Sequence, residues 1–360
     1  MSIALCMIVR DEAARLGGCL ASVAEAVDEI VIVDTGSQDE TVAIAQAWGA
    51  QVYHYPWQED FAAARNAALK YVHSDWVLVL DADETLTPAM VQALPTICQQ
   101  PQWLAVTLLR QELGVVPPYS YVSRLFRCHP QIYFQRPYHE TIDDSVLALQ
   151  QREPHWQVGQ VNAVAIVHSG YLGAQRQQKH ERAKRIMANY LRQHPADTYL
   201  WSKLAGVYLA EGDFASAQTC IAQGLNASDR PASVTYELYY HQGNLYSAQQ
   251  QWAEAIAAYE AALNTPTPPL SHVATYLRLA DAQKHLKRWG DALTTYDRLQ
   301  ALDPTLALAY QNQGALLLRL GHVHAALEKL QTAIDLWQQQ HPPEADRLRQ
   351  ELQAMGLLNG

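Results

Sequence analysis

Trp76-Val77-Leu78-Val79-Leu80-Asp81-Ala82-Asp83-Glu84 is the stretch whose reading decides the fold. Five apolar residues run without interruption and end in three carboxylates within four positions. An apolar run of this length, bounded by turn residues, reads as a strand buried on both faces, as in a parallel sheet. Open α/β sheets bind ligands at the carboxyl ends of their strands. An acidic cluster at such an end is where a metal and a phosphorylated ligand are expected. A solvated turn, or first-turn acids for the helix that Pro88 begins, is the structural alternative. Two carboxylates about 6 Å apart repel by roughly 3 kcal/mol at an effective dielectric near 20. A bound cation would relieve that repulsion.

Outward from this strand, the first hundred residues alternate strand and helix patterns. Ile3 to Val9 and Ile30 to Val33 are apolar runs, and Gln51 to Tyr55 is a third, short strand. Ala13, Leu16, Cys19, Leu20 and Val23 have helical spacing between the first two. Ser37-Gln38-Asp39-Glu40 has the form of a capping box and predicts a helix to about Trp48. Phe61 to Tyr71 is helical, with alanines on a face that can approach a sheet closely. Thr87-Pro88 supplies an N-cap and an N1 proline for a helix to about Cys98. This alternation predicts parallel strands with right-handed crossovers.

A second strand end, Asp34 before Thr35-Gly36-Ser37, is also acidic. Its carboxylate can accept hydrogen bonds from a ribose or base, or from its own turn. Arg65 in the alanine-rich helix can pair with a phosphate through its planar fork, or be a surface arginine. From residue 100 to 172 the pattern changes. Leu104 to Leu109, Tyr121 to Phe126 and Val161 to Val167 read as strands, with a turn-rich loop at 114–118. Arg124 and Arg127 lie on the second of these. His139-Glu140 and Asp143-Asp144 follow, and His168 ends the last strand, as a structural residue or as a further metal ligand.

The chain has 360 residues, 49% hydrophobic and 17% charged, which describes a folded protein with room for two domains. A net charge of −10 without a dense basic run argues against nucleic acid as the main partner. The five cysteines are scattered and show no Cys-x-x-Cys spacing, so a reducing, cytoplasmic setting is expected. The apolar run at residues 3–9 is too short for a membrane span and lacks a basic leader, and no other run approaches 18 residues.

Taken together, the N-terminal segments resemble the family 2 glycosyltransferases of the GT-A fold, in particular the group of lipopolysaccharide-core β-glucosyltransferases and peptide S-glycosyltransferases. The residues that carry the resemblance are Cys6 to Glu12, Ile30 to Ser37 with Asp39 and Thr41, Phe61 to Asn66, Asp81 to Glu84, Arg124 to Arg127, His139-Glu140 and His168 to Tyr171. The resemblance implies an α/β GT-A (nucleotide-diphospho-sugar transferase) domain over residues 1–172. It implies a hexosyltransferase-type enzyme with a UDP- or GDP-sugar donor and a divalent metal, Mg²⁺ or Mn²⁺. Carried onto this chain, Asp34 would contact the nucleoside, and Arg65, Asp81 and Arg124 would lie at the donor. Asp81 and Asp83 would be the DxD pair, with Asp83 the more direct ligand and His168 a further one. Family members invert the anomeric centre and need a base. Glu140 is the leading candidate, with Asp143 or Asp144 behind it. The Gln-x-x-Arg-Trp motif of larger members is absent.

The second half is helical and repetitive. Trp201, Tyr239, Tyr276 and Tyr310 open four similar copies, spaced 38, 37 and 34 residues apart. Each copy continues with small residues and aromatics in a tetratricopeptide (TPR) plan. This predicts an all-α solenoid of four repeats over residues 199–342, a connecting helix over 173–198 and a polar capping helix over 343–360. Such an array commonly binds a protein or peptide, or else braces the enzyme. Two rival readings remain. One is a TPR interaction scaffold with an inactive transferase domain. The other, a sugar-1-phosphate nucleotidyltransferase, requires a glycine-rich loop where this chain has Val9-Arg10-Asp11-Glu12.

Overall fold

A computed structural model of the chain describes residues 1–113, 118–170 and 176–358, with the backbone alone for 176–178. Tyr171 and most of the loop expected at 114–118 lie outside the described residues. The chain divides into two units, Met1–Pro195 and Ala196–Gly360.

The first unit is built on an eight-stranded sheet. Strands β1 (Ile3–Val9), β2 (Glu29–Asp34), β3 (Gln51–His54) and β4 (Trp76–Val79) come first in the chain. They are followed by β5 (Glu84–Leu86), β6 (Trp103–Glu112), β7 (Tyr119–Arg127) and β8 (Gln157–His168). Their order across the sheet is β3-β2-β1-β4-β7-β6-β8-β5. The first four are parallel, as the strand–helix alternation predicts. Strand β7 then enters antiparallel to both β4 and β6. Every residue of β4 is buried, because helices and loops cover both faces of the sheet there. One face packs Leu5, Met7, Leu78 and Leu80 against Leu16 and Leu20 of helix α1 (Ala13–Val23); the other packs Ala4, Val31, Val77 and Val79 against Ala62 and Ala68.

Helix α2 (Thr41–Ala47) begins three residues later than the capping-box pattern predicts. The reason is a cross-link to the loop after β1. Ser37 Oγ accepts from the Asp11 backbone, so it does not cap the helix. Asp39 accepts from the Thr41 backbone instead, and its other oxygen takes the Ala13 N–H. Helix α3 (Phe61–Leu69) starts at Asp60, whose side chain accepts from Ala63 N. Its alanines Ala62, Ala64 and Ala68 are buried, which brings Arg65 inside as well. Helix α4 (Pro88–Cys98) is capped by Thr87 and starts at Pro88, as its sequence indicates. Helix α5 (Asp143–Arg152) carries two acids in its first turn.

Helix α6 (Arg176–Gln193) belongs to the first unit. Arg185 forms a two-pronged ion pair with Glu59, and Arg182 lies over the rings of Trp57 and Phe61 at 4.6 and 5.0 Å.

The second unit is a run of antiparallel helix pairs: α7 (Thr198–Glu211) with α8 (Phe214–Asn226), α9 (Ala232–Ala248) with α10 (Trp252–Leu263), α11 (Val273–His285) with α12 (Trp289–Leu302), and α13 (Ala307–Arg319) with α14 (Val323–Gln340). Helix α15 (Pro342–Ala354) closes the stack against α14 through Ala345, Leu348 and Leu352. Small residues set the helix spacing. A Cβ on Gly243 of α9 would lie 2.4 Å from the ring of Tyr259 on α10. Tyr259 and Tyr296 are fully buried, so these repeat aromatics are core residues.

Candidate active site

The acidic turn after β4 is held by arginines. Asp81 Oδ1 accepts from Arg65 Nη2 at 2.6 Å and its Oδ2 from Arg124 Nη2 at 2.9 Å. Burial pushes Asp81 up, but Arg124 and Arg65 outweigh it and hold the carboxyl far below the usual range. Glu84 is fully buried, and neither solvated nor part of the α4 N-terminus. Its Oε2 accepts from the Asp81 backbone at 2.8 Å, and its Oε1 from Arg110 Nη1 at 2.7 Å. The repulsion that the sequence left for a metal ion to relieve is therefore met, at two of the three acids, by guanidinium groups.

Asp83 is the third acid and stands differently. Its Oδ2 lies 3.5 Å from His168 Nε2 and 3.5 Å from Arg15 Nη1. Strand β5 explains the approach: it pairs antiparallel with β8, with Glu84 opposite His168. Ser169 N and Oγ both donate to the Asp83 carbonyl, at 3.0 and 3.1 Å. A Cβ built on Gly170 would meet Asp83 Oδ2 at 2.3 Å and His168 Nε2 at 2.5 Å. The two donor atoms thus converge on a cradle that only glycine leaves open.

His168 Nδ1 faces Glu112 Oε2 at 2.5 Å. Burial pushes His168 down, but its bonds to Asp83 and Glu112 win and raise it to about 9. Burial pushes Asp83 and Glu112 up, but both are lowered on balance, Asp83 by His168 together with Arg15 and Glu112 by His168 together with Arg110 and Ser120.

Arg65 is 4% exposed. Besides Asp81, it donates through Nε to Glu140 Oε1 at 2.6 Å, and it lies over Phe134. Burial pulls Arg65 down, yet Asp81 and Glu140 raise it, so its charge is permanent. Its Nη1 is buried with no hydrogen-bond partner among the described residues. Asn66 beside it donates to and accepts from the Phe134 backbone, both at 2.8 Å, which pins the segment leading to Glu140.

Asp34 is buried at the end of β2. Its oxygens accept from Gly36 N and Ser37 N at 3.0 to 3.2 Å, so turn chemistry accounts for much of its bonding. Burial pushes it up, and the bonds from Ser37 and Gly36 hold it below the usual range. Asp143 is exposed, and among the described residues no hydrogen bond or ion pair joins it to Asp81, Asp83 or His168. Asp144 pairs with Arg136. Arg127 faces away from the site: it stacks on Trp76 at 4.8 Å and donates to backbone carbonyls of Gln100, Pro101 and Trp103. Among the described residues no group of three or more His, Cys, Asp or Glu side chains is placed to hold a metal.

Arg110, Glu112 and Ser120 escaped the sequence reading, which ended the strand at Leu109. Arg110 Nε donates to Glu112 Oε1 at 2.8 Å, and Ser120 Oγ donates to the same oxygen at 2.6 Å. The only available signal was the alternation of Arg110 and Glu112 beyond the apolar run.

The acids and arginines thus gather beside the carboxyl ends of parallel strands in a mixed α/β sheet, and comparison with known proteins identifies the domain's family. Residues 4–159 match the model for glycosyl transferase family 2, and residues 174–233 and 240–307 match models for tetratricopeptide repeats. A TPR repeat-containing protein of Synechococcus elongatus is 40% identical over 99% of this chain and 97% of its own length. An uncharacterized glycosyltransferase of Rickettsia felis is 30% identical over 46% of this chain. The prophage-derived glycosyltransferase SunS of Bacillus subtilis is 27% identical over 37% of this chain. The matches span 61% and 33% of those two relatives' lengths. Residues 4–159 of the chain are a glycosyl transferase family 2 domain, and tetratricopeptide repeats follow it. No helix among the described residues is long and apolar enough to cross a membrane.

Proposed function

We propose that the N-terminal unit moves a sugar from a UDP- or GDP-sugar to an acceptor with inversion at the anomeric carbon. The observation that carries this reading is Arg65, a permanently charged guanidinium held by two carboxylates with its Nη1 unpartnered. A diphosphate oxygen is the partner that chemistry would supply. Arg124, on the other oxygen of Asp81, stands beside it.

The residues fit a divalent cation of the kind that takes one or two protein ligands and completes its shell with substrate phosphates and water. Asp83 Oδ2 and His168 Nε2, which converge beside Gly170, would hold it. One oxygen and one imidazole nitrogen suit Mg²⁺ and shift the balance toward Mn²⁺. When bound, the ion stabilises charge on the leaving diphosphate. Asp81 acts differently from the DxD pattern: it anchors Arg65 and Arg124. Asp34, at the end of β2 with β1 between it and β4, is the nucleoside contact in this reading.

Glu140 is the proposed acceptor base, ahead of Asp143. Its Oε1 already accepts from Arg65, so the acceptor's proton would go to Oε2. The repeats are proposed to bind a protein or peptide, either the acceptor or a partner. Five free cysteines, four of them buried, support a cytoplasmic setting.

Titration calorimetry with UDP and GDP in the presence of Mn²⁺ tests the donor site. Binding of one of them by the wild type, and its loss in Arg65→Ala, supports the reading. No binding of either nucleotide counts against it. Removing residues 196–360 tests the repeats: donor hydrolysis should persist while the rate on the true acceptor falls.

A further inference from the structure

We infer that Glu112 is a positioning residue that fixes the tautomer of His168, keeping the Nδ1 proton on the Glu112 side and leaving Nε2 open to a divalent cation. This rests on the proposed role of Asp83 and His168 as its protein ligands.

Glu112 is built into the sheet for this task. Strands β6 and β8 run parallel with Glu112 in register beside His168, so the two side chains share one face. Glu112 is 6% exposed. Its two oxygens have separate duties. Oε1 accepts from Arg110 Nε at 2.8 Å and from Ser120 Oγ at 2.6 Å, and Arg110 Nη2 lies 2.8 Å away in ion-pair contact. Oε2 meets His168 Nδ1 at 2.5 Å. Arg110 is fixed in turn by the fully buried Glu84, whose other oxygen holds the Asp81 backbone. The carboxylate therefore cannot rotate away without abandoning a guanidinium.

A carboxylate can only accept, so when the imidazole is neutral its one proton stays on the nitrogen with the closer carboxylate, Nδ1 at 2.5 Å from Glu112 against Nε2 at 3.5 Å from Asp83, and the lone pair is left at Nε2. Nε2 is the nitrogen beside Asp83 Oδ2. Outer partners of this kind orient histidine ligands, and their loss commonly costs about 10- to 100-fold in metal affinity.

The arrangement makes an uncommon forecast for an isosteric change. In Glu112→Gln the amide oxygen must take the Oε1 position, because Arg110 offers only donors. The amide NH₂ then faces His168 Nδ1 and donates to it. That forces the proton onto Nε2 and closes the metal lone pair. A residue with a merely structural role would tolerate glutamine better than alanine. A tautomer-setting residue would not.

The test is Mn²⁺ binding to the full chain, followed by electron paramagnetic resonance without donor, in Glu112→Gln, Glu112→Ala, His168→Ala and Asp83→Ala. Thermal unfolding is recorded alongside. Glu112→Gln is expected to unfold near the wild-type temperature and to lose about tenfold or more in Mn²⁺ affinity. Its loss should equal or exceed that of Glu112→Ala. Wild-type affinity in Glu112→Gln, with clear loss in His168→Ala and Asp83→Ala, overturns the role of Glu112 alone. Unchanged affinity in both His168→Ala and Asp83→Ala overturns the metal site, and the role of Glu112 with it.

Discussion

Arg65 Nε donates to Glu140 at 2.6 Å and so ties the helix that carries the donor arginine to the loop that carries the proposed base, 75 residues away. The same guanidinium holds Asp81. The proposed donor and acceptor sides of the site thus share one guanidinium.

Replacing Arg65 should separate its charge from its shape. Arg65→Lys keeps the charge but cannot bridge Glu140 and Asp81 while presenting a further N–H. It is expected to lower kcat/KM by roughly 10²- to 10³-fold. Arg65→Ala should also destabilise the first unit by about 2 kcal/mol, less than for a fully buried pair, because Asp81 is 34% exposed and keeps Arg124. Steady-state kinetics and urea unfolding measure the two effects. Equal kinetics for Arg65→Lys and wild type would rule out the fork.

The two aspartates of the acidic turn should behave differently. Asp83→Asn removes a charge that faces His168 and Arg15 at 3.5 Å, and is expected to raise the metal concentration needed for turnover. Asp81→Asn unhooks two arginines, and should raise KM for the donor with less change in metal dependence. Metal titrations of donor hydrolysis distinguish them. Identical metal dependence in both variants would mean that both acids serve one ion.

In the repeats, His241 gives an acid limit. Burial pulls it down to about 4, Glu237 opposes this, and Lys203 adds to it. Its Nδ1 is buried without a hydrogen-bond partner. The unfolded chain takes up this proton near pH 6.5, the folded chain only near 4. Between these values the unfolded state binds more protons, so stability falls as pH drops through the window. The contribution is at most about 3 kcal/mol, present in full above pH 6.5 and lost below 4. His241→Gln should flatten this part of the Tm–pH curve. An unchanged slope would show that other groups set it.

Gly243→Ala should destabilise the repeat unit by about 1–3 kcal/mol. The added Cβ meets the Tyr259 ring at 2.4 Å, and that ring cannot give way. Its hydroxyl is bonded to Ser247 and Asn244 on α9. Chemical denaturation reads the change; a stability equal to wild type would mean that α9 and α10 can separate.

The sequence made β1 to β4 legible because each is a short apolar run whose period needs no partner to interpret. Asp81, Asp83 and Arg65 stood out because acids and a fork-shaped cation fall at strand ends and on a small-residue helix. Strand β5 was not legible, since three residues beside a turn carry no period of their own. Its pairing with β8 is what sets His168 against Asp83. Glu84 reads in the sequence as one of three acids for a metal site, or for a solvated turn or the first turn of α4, whereas it is buried and paired with Arg110, 26 positions away. Glu112 lay past the apolar run and gains its meaning from a residue 56 positions later. Such pairings depend on sheet register, which local spacing does not encode.

Metal-dependent release of UDP or GDP from a panel of UDP- and GDP-sugars, by wild type and Asp83→Ala, tests the central claim most directly. Wild type should release one of them only with Mg²⁺ or Mn²⁺. Asp83→Ala should lose that activity while keeping the wild-type unfolding temperature. Full activity in Asp83→Ala, or no donor used across the panel, would contradict the claim and leave the chain as a repeat scaffold.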